Sequence, residues 1–274
     1  VRGDLARLLS AASRDAEKLI AANLAKGTFS GRMRAKQLEA AMKGMGSLSA
    51  AIWGQVGSLT QKGIHDAAQL AINQQLDRDF LSGMPFNAIR QYSDALYYSA
   101  FQAAEDIVSR RTNGFTLSER IYKGGRLGVV QAAKEVESGL LLGQSAKEIS
   151  ARVKHLYDPD VPGGQSYAAN RLARTEINNA HHDTTIRTAD EMPWVAGYKW
   201  HLSGSHPKPD ICNTYAEIDN GFGPGVWKKG TVPSKPHPHC LCYVEVVQPD
   251  RDDFLDSLAS GDFDDYLSGQ GVRY

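Results

Sequence analysis

All three cysteines of this 274-residue chain fall between residues 212 and 242. The stretch 203–238 is rich in Gly, Pro, His and Lys and has few apolar side chains. Such a stretch buries too little apolar surface to hold itself together, so it needs a cross-link. Cys240 and Cys242 sit one residue apart, and on an extended segment positions i and i+2 face the same side. Cys212 lies well upstream and supplies a second arm. His237 and His239 stand just before the cysteine pair. Cys212, His237, Cys240 and Cys242 together make a complete tetrahedral donor set for a structural zinc ion. Pro238 sets the two histidines in different directions, which disfavours both binding one ion. Two other states compete: reduced, partly buried thiols beside ordinary histidines, and a disulfide from Cys212 to Cys240 or Cys242. A disulfide framework would spread its cysteines and favour an even number, so a reducing compartment fits better.

A Cys212 nucleophile with His201, His206 or His239 as its base is a further alternative. No oxyanion hole and no third orienting group accompany it in the sequence, so the chain is expected not to be an enzyme. Formal net charge is zero, from 31 basic and 31 acidic residues. That excludes a broad basic footprint for nucleic acid. No run of 18 apolar residues exists, so a membrane span is excluded too. The charged first 20 residues do not resemble the apolar core of a signal peptide.

Periodicity predicts a mostly helical α+β fold. Residues 1–27 read as a first helix. A second pattern runs from about 33 to 80, with Met42, Met45, Leu48, Ile52, Val56 and Leu59 at steps of three and four. Ile64, Ala68, Ile72, Leu76 and Phe80 continue it. Its many glycines imply either close helix contact or a break near Gly63, giving a hairpin or an extended arm. A third helix follows Pro85, over about 86–110. Thr116-Leu-Ser-Glu119 and Ser145-Ala-Lys-Glu148 match capping boxes. They open helices predicted over 117–123, with another over 126–142, and from Ser145 to about Leu156. Residues 165–190 form one more helix. Trp194–Leu202 and Leu241–Val247 read as strands that can pair and hold the loop between them. Gly221–Gly225 reads as a flexible loop.

The organisation expected is a long helical arm over 1–114, a compact domain over 115–248 with a small antiparallel sheet and a Cys/His-rich loop, and an acidic tail over 249–274. The arm is a candidate partner-binding segment. Between 250 and 265 the tail carries seven aspartates. Phe254, Leu255, Phe263, Tyr266 and Leu267 are set among them as short apolar anchors that dock on this chain or on a partner. On the 165–190 helix, Arg174 suits a bidentate bond to a carboxylate, with Asp210 a candidate acceptor. His181-His182-Asp183 reads as a solvated or interdomain face, because adjacent helical residues point about 100° apart.

The order of several pieces carries a resemblance. These are Leu172-Ala-Arg-Thr-Glu-Ile-Asn-Asn-Ala180, a Trp-bearing strand, Asp210-Ile-Cys212, and His237-Pro-His-Cys-Leu-Cys242. Together they resemble the phage minor head proteins of the Mu F type, the phage head morphogenesis domains. The likeness covers about 115–247. By position, Arg174 and Glu176 fall on the family's helix motif, with Asp210 completing the expected polar network. Cys212 falls on the first central cysteine, and His237, Cys240 and Cys242 on the closing motif. The second central cysteine falls at Tyr215, which leaves a histidine-completed site or no metal. The resemblance implies a minor capsid protein of a tailed phage, inside the capsid of the virion and in the host cytoplasm during assembly. It implies association with the portal protein, and with the major capsid protein as a second candidate. It also implies a part in head assembly, DNA packaging or genome delivery, with only weak or transient contact with packaged DNA. The alternative is a cysteine-dependent enzyme or toxin-like domain carried in the particle.

Overall fold

The computed structural model describes residues 2–24, 31–76, 86–158, 161–206 and 209–269. Phe80 and the side chain of Leu267 lie outside the described residues. The fold is mostly helical, with one small antiparallel sheet. Helices α1 (Arg2–Leu24), α2 (Gly31–Gln75), α3 (Phe86–Ser109), α4 (Leu117–Leu141), α5 (Ala146–Leu156) and α6 (Gln165–Asp190) precede the sheet. Strand β1 (Gly197–His201), helix α7 (Ile211–Glu217), β2 (Val226–Lys228) and β3 (Tyr243–Val247) follow, then α8 (Arg251–Ala259) and α9 (Asp264–Gly269). No described helix is long and apolar enough to cross a membrane.

The chain divides into two compact units, each discontinuous in sequence. The first comprises 1–63 and 108–174, the second 64–107 and 175–274. Residues 1–114 therefore contribute to both.

In the first unit the α2 stripe does bury Met45, Ile52 and Val56. The break considered near Gly63 does not occur: α2 is one helix of 45 residues. Two of its glycines serve close contact. A Cβ on Gly44 would come within 2.9 Å of Leu19, and one on Gly57 within 3.1 Å of Ile121. The second expected break also disappears. The helices predicted over 117–123 and 126–142 are the single α4, running straight through Gly124-Gly125. These glycines seat a tryptophan: a Cβ on Gly124 would stand 2.4 Å from the Trp53 ring. The helix thus accepts the roughly 1 kcal/mol cost of a glycine because any larger residue collides with Trp53. Around that contact the polar groups are paired. Trp53 Nε1–H donates to Gln165 Oε1 (3.2 Å) and Ser49 Oγ–H to the Gly125 carbonyl (2.8 Å).

Both capping boxes form. Glu119 N–H donates to Thr116 Oγ1 (3.2 Å) while Thr116 N–H donates to Glu119 (2.7 Å). Ser145 and Glu148 repeat the exchange at 3.3 and 2.7 Å. Helix α5 packs on α1 and α4. Its flanks carry the ion pairs Lys154–Glu17 (2.8 Å) and Arg152–Glu135 (2.6 Å).

In the second unit the two predicted strands pair, Gly197 opposite Val247 and His201 opposite Tyr243. A third strand, β2, lies on the other side of β1 and was not expected. Three residues without alternation carry too little pattern to be seen in sequence. Along β1, Tyr198 and Trp200 are buried and Lys199 is exposed, the period-two pattern of a half-buried sheet. The Tyr198 hydroxyl reaches Asp190 Oδ1 (2.6 Å), tying β1 to the end of α6. The glycine loop 221–225 is ordered, because Asp219 Oδ1 accepts from the backbone N–H groups of Gly221 (2.8 Å) and Gly223 (3.0 Å).

The tail resolves into two short helices. Asp252, Asp253, Asp264 and Asp265 sit in their first turns, where carboxylates complement unsatisfied N–H groups. Of the two docks open to its aromatic anchors, the structure uses this chain. Phe254 is 1% exposed. Phe254, Phe263 and Tyr266 all meet Trp194, at centroid separations of 5.3, 5.3 and 5.4 Å. Tyr92 closes the cluster from α3 at 5.5 Å. Leu255 is half-buried beside them. Phe254, Phe263 and Tyr266 thus meet a ring of this chain, with Phe254 buried and Phe263 and Tyr266 half-buried.

Trp194→Ala removes the ring on which three tail side chains rest. We expect a loss of about 3–5 kcal/mol, together with protease cleavage near residue 250 that the unaltered protein resists. Wild-type stability and cleavage in the variant would show that the tail is held elsewhere.

Candidate metal centre

Cys212 occupies the first turn of α7, and its placement comes from a local cap. Asp210 is the N-cap residue, with its Oδ1 accepting from Cys212 N–H (2.7 Å). Asn213 answers by accepting Asp210 N–H on Oδ1 (3.0 Å). This is a third capping box, with Asp and Asn in place of Ser/Thr and Glu. Cys240 and Cys242 come from the segment that leads into β3. His239 there has a left-handed backbone (φ 64°), uncommon for a residue other than glycine. It turns the chain so that Cys240 N–H donates to the His237 carbonyl (3.3 Å). His239 N–H donates to Thr175 Oγ1 on α6 (3.2 Å), fixing that turn.

The three sulfurs meet. Cys212, Cys240 and Cys242 are 0%, 3% and 1% exposed, and all three are free thiols. Their sulfurs lie within 4.8 Å of one another, with Cys212 to Cys240 at 3.6 Å. Zn–S bonds of about 2.3 Å in a tetrahedron place sulfurs roughly 3.8 Å apart. Spacing and donor type both fit, so the cluster can coordinate a metal ion such as zinc. His237 Nε2 is 3.5 Å from Cys212 Sγ and 3.0 Å from Asp210 Oδ2. Cys212, His237 and Asp210 thus form a second convergent group sharing one thiol with the first.

Three further residues at the site were not among the metal ligands expected from the sequence. His206 places Nδ1 3.7 Å from Cys242 Sγ and Nε2 2.9 Å from Asn213 Oδ1. Asn213 was legible in principle, since Asp-x-x-Asn is a capping box in different letters. Lys235 donates Nζ to the Cys242 carbonyl. Burial pulls its ammonium down, while the three thiols and Asp183 push it back up.

Asp210 was a candidate acceptor for Arg174, but its carboxylate serves Cys212 N–H and His237. Arg174 is half-buried at the end of the first unit, and Glu176 is buried just inside the second. Tyr215 packs between Trp200 (5.1 Å) and Trp227 (5.7 Å) and belongs to the aromatic core of the loop. The histidine pair on α6 is not a solvated face. His182 is buried against Trp200, and burial drives it down to about 3, so it stays neutral.

Burial pushes the Cys212 thiol far up from its ordinary value of 9.0, with Cys240 adding to the rise. Burial raises Cys240 as well. That is the opposite direction from an activated nucleophile, which needs a depressed value. Comparison of the chain with protein-family models, with curated proteins and with solved structures returns no match.

The raised thiols set the pH behaviour. In the metal-free fold the neutral thiols are favoured, so their stabilisation is complete below the ordinary value of 9.0 and is lost as pH climbs toward the raised ones. Metal loading takes the thiolates and releases protons, so affinity grows with pH. The melting temperature of metal-free protein is expected to drop from about pH 8.5 to 9.5 while the zinc-loaded form holds, widening the gap between them. Parallel melting curves over that range would remove the thiols from the account.

Proposed function

We propose that this chain is a structural minor capsid protein of a tailed phage, associated with the portal inside the head, and that its Cys/His centre is a structural zinc site rather than a catalytic one. The observation that carries the reading is the meeting of Cys212 with Cys240 and Cys242 at one buried point. Those residues belong to the sequence pieces whose order resembles the head morphogenesis domains, and the thiols come from opposite ends of one long loop. A closed site of this kind leaves no position through which substrate reaches a metal or a sulfur, which is the mark of structural rather than catalytic zinc. The upward-shifted thiols argue the same way against a cysteine-dependent enzyme.

In this role the protein works through its shape. The zinc fixes the loop against the sheet so that the surface offered to the portal does not fluctuate. Zero net charge suits a protein that must sit near packaged DNA without being held by it. The test is co-sedimentation of the zinc-loaded full chain with portal assemblies and procapsids of the phage that encodes it. Comigration at micromolar concentration, weakened by prior removal of zinc, is the expected outcome. A chain that stays in the supernatant with both particles would sink the proposal.

A further inference from the structure

Two histidines each touch one thiol of the cluster, and neither converges within 4.8 Å on all three sulfurs, so distance alone does not assign the fourth ligand. A tetrahedral site with one nitrogen and three sulfurs has S···N edges of roughly 3.6 Å. His237 Nε2 lies 3.5 Å from Cys212 Sγ and His206 Nδ1 lies 3.7 Å from Cys242 Sγ. Hydrogen bonding does choose, because a metal ligand needs a nitrogen with a free lone pair.

On His206 the assignment follows from a backbone donor. Asp210 N–H donates to one terminal atom of the Asn213 amide at 3.0 Å, so that atom is the oxygen. The same oxygen lies 2.9 Å from His206 Nε2. An oxygen without a proton accepts, so Nε2 carries the hydrogen. Asp210 Oδ1, 3.6 Å from the same nitrogen, adds a second acceptor on that side. In a neutral imidazole the other nitrogen then holds the lone pair, and it is Nδ1 that faces Cys242. A ligating histidine whose second nitrogen donates to a fixed oxygen is the usual outer-shell arrangement of a metal site.

On His237 both nitrogens face acceptors. Nε2 lies 3.0 Å from the Asp210 carboxylate and Nδ1 lies 3.0 Å from the Pro238 carbonyl. The nitrogen nearest the thiols, Nε2, is thus the one already engaged by the Asp210 carboxylate, whereas on His206 the nitrogen facing the thiols is not the one held by Asn213. The side chain is also the more open of the two, 36% exposed against 11% for His206.

We infer that His206, through Nδ1, is the fourth ligand of a Cys212–Cys240–Cys242–His206 zinc site. His237 is then a positioning residue that donates from outside the ligand sphere to Asp210, and through it steadies the turn carrying Cys212. The inference rests on the zinc reading above and replaces the His237 ligand expected from the closing motif. Asn213 thereby gains a role as the group that sets the His206 tautomer.

The experiment uses the full chain. Zinc uptake by the unaltered protein is measured first; no tight stoichiometric zinc overturns the zinc reading and this assignment with it. His206→Ala and His237→Ala are then compared by chelator competition and by cobalt substitution. His206→Ala is expected to lose well over 100-fold in zinc affinity and to change the ligand-field spectrum of the bound cobalt. His237→Ala is expected to lose about 10–100-fold, the range of an outer-shell change, with the cobalt spectrum retained. His206→Cys should restore tight binding by supplying a fourth sulfur. Nitrogen-15 spectra of the histidine rings in zinc-loaded, unaltered protein avoid any folding defect of the variants, and should report metal on His206 Nδ1 and none on either His237 nitrogen. Metal on a His237 nitrogen, or equal losses in the two alanine variants, would overturn the assignment while leaving zinc itself in place.

Discussion

The second unit depends on one physical fact: the chain between β1 and β3 returns to its starting point at the three thiols. Cys212 and Cys240 bound a loop of 28 residues whose closure in the unfolded chain is worth about 3–4 kcal/mol in the chain-entropy view. The loop offsets part of this with its own aromatic core, Trp200, Tyr215 and Trp227, and with the short β2–β1 pairing. Trp227 Nε1–H donates to the Tyr215 carbonyl (3.1 Å) and stitches the two halves of that core. These contacts fix the middle of the loop. The thiol centre fixes its two ends, which have few apolar groups of their own.

Features with local causes were legible in the sequence. The Thr116 and Ser145 caps, the helices α5 and α6, and the strands around Trp200 and Val244 each follow from residues close together in the chain. Features that failed have causes distant in sequence. Gly124-Gly125 reads as a helix break in isolation, and only Trp53, some 70 positions away, turns it into a seat. Phe254 and Phe263 read as anchors with their dock left open, because the ring they meet, Trp194, belongs to another segment. The same holds at the centre. Three thiols could be grouped by spacing and chemistry, whereas the choice of histidine depends on donor and acceptor pairing that no spacing encodes. His206 entered the sequence reading only as a candidate base for Cys212, and its place between Asn213 and Cys242 appears only in the fold.

Charge balance gives the centre its last requirement. Zinc with three thiolates and a neutral imidazole carries one negative charge, and such a charge is costly in a buried site unless a cation answers it. Lys235 answers it. Its ammonium is held at the Cys242 carbonyl, and the thiols are the groups that most oppose the downward pull of its burial. Without metal the thiols stay protonated, and Asp183 is the carboxylate that supports the half-buried Lys235 ammonium. With metal, the ligand set supplies the negative charge that the lysine lacks. His237 and Asp210 lie beside it, 3.0 Å apart. Lys235 therefore couples loading to folding in the same direction as the thiols do. The metal-free loop holds a half-buried ammonium, and a metal bound by the three thiolates would bring the negative charge that answers it.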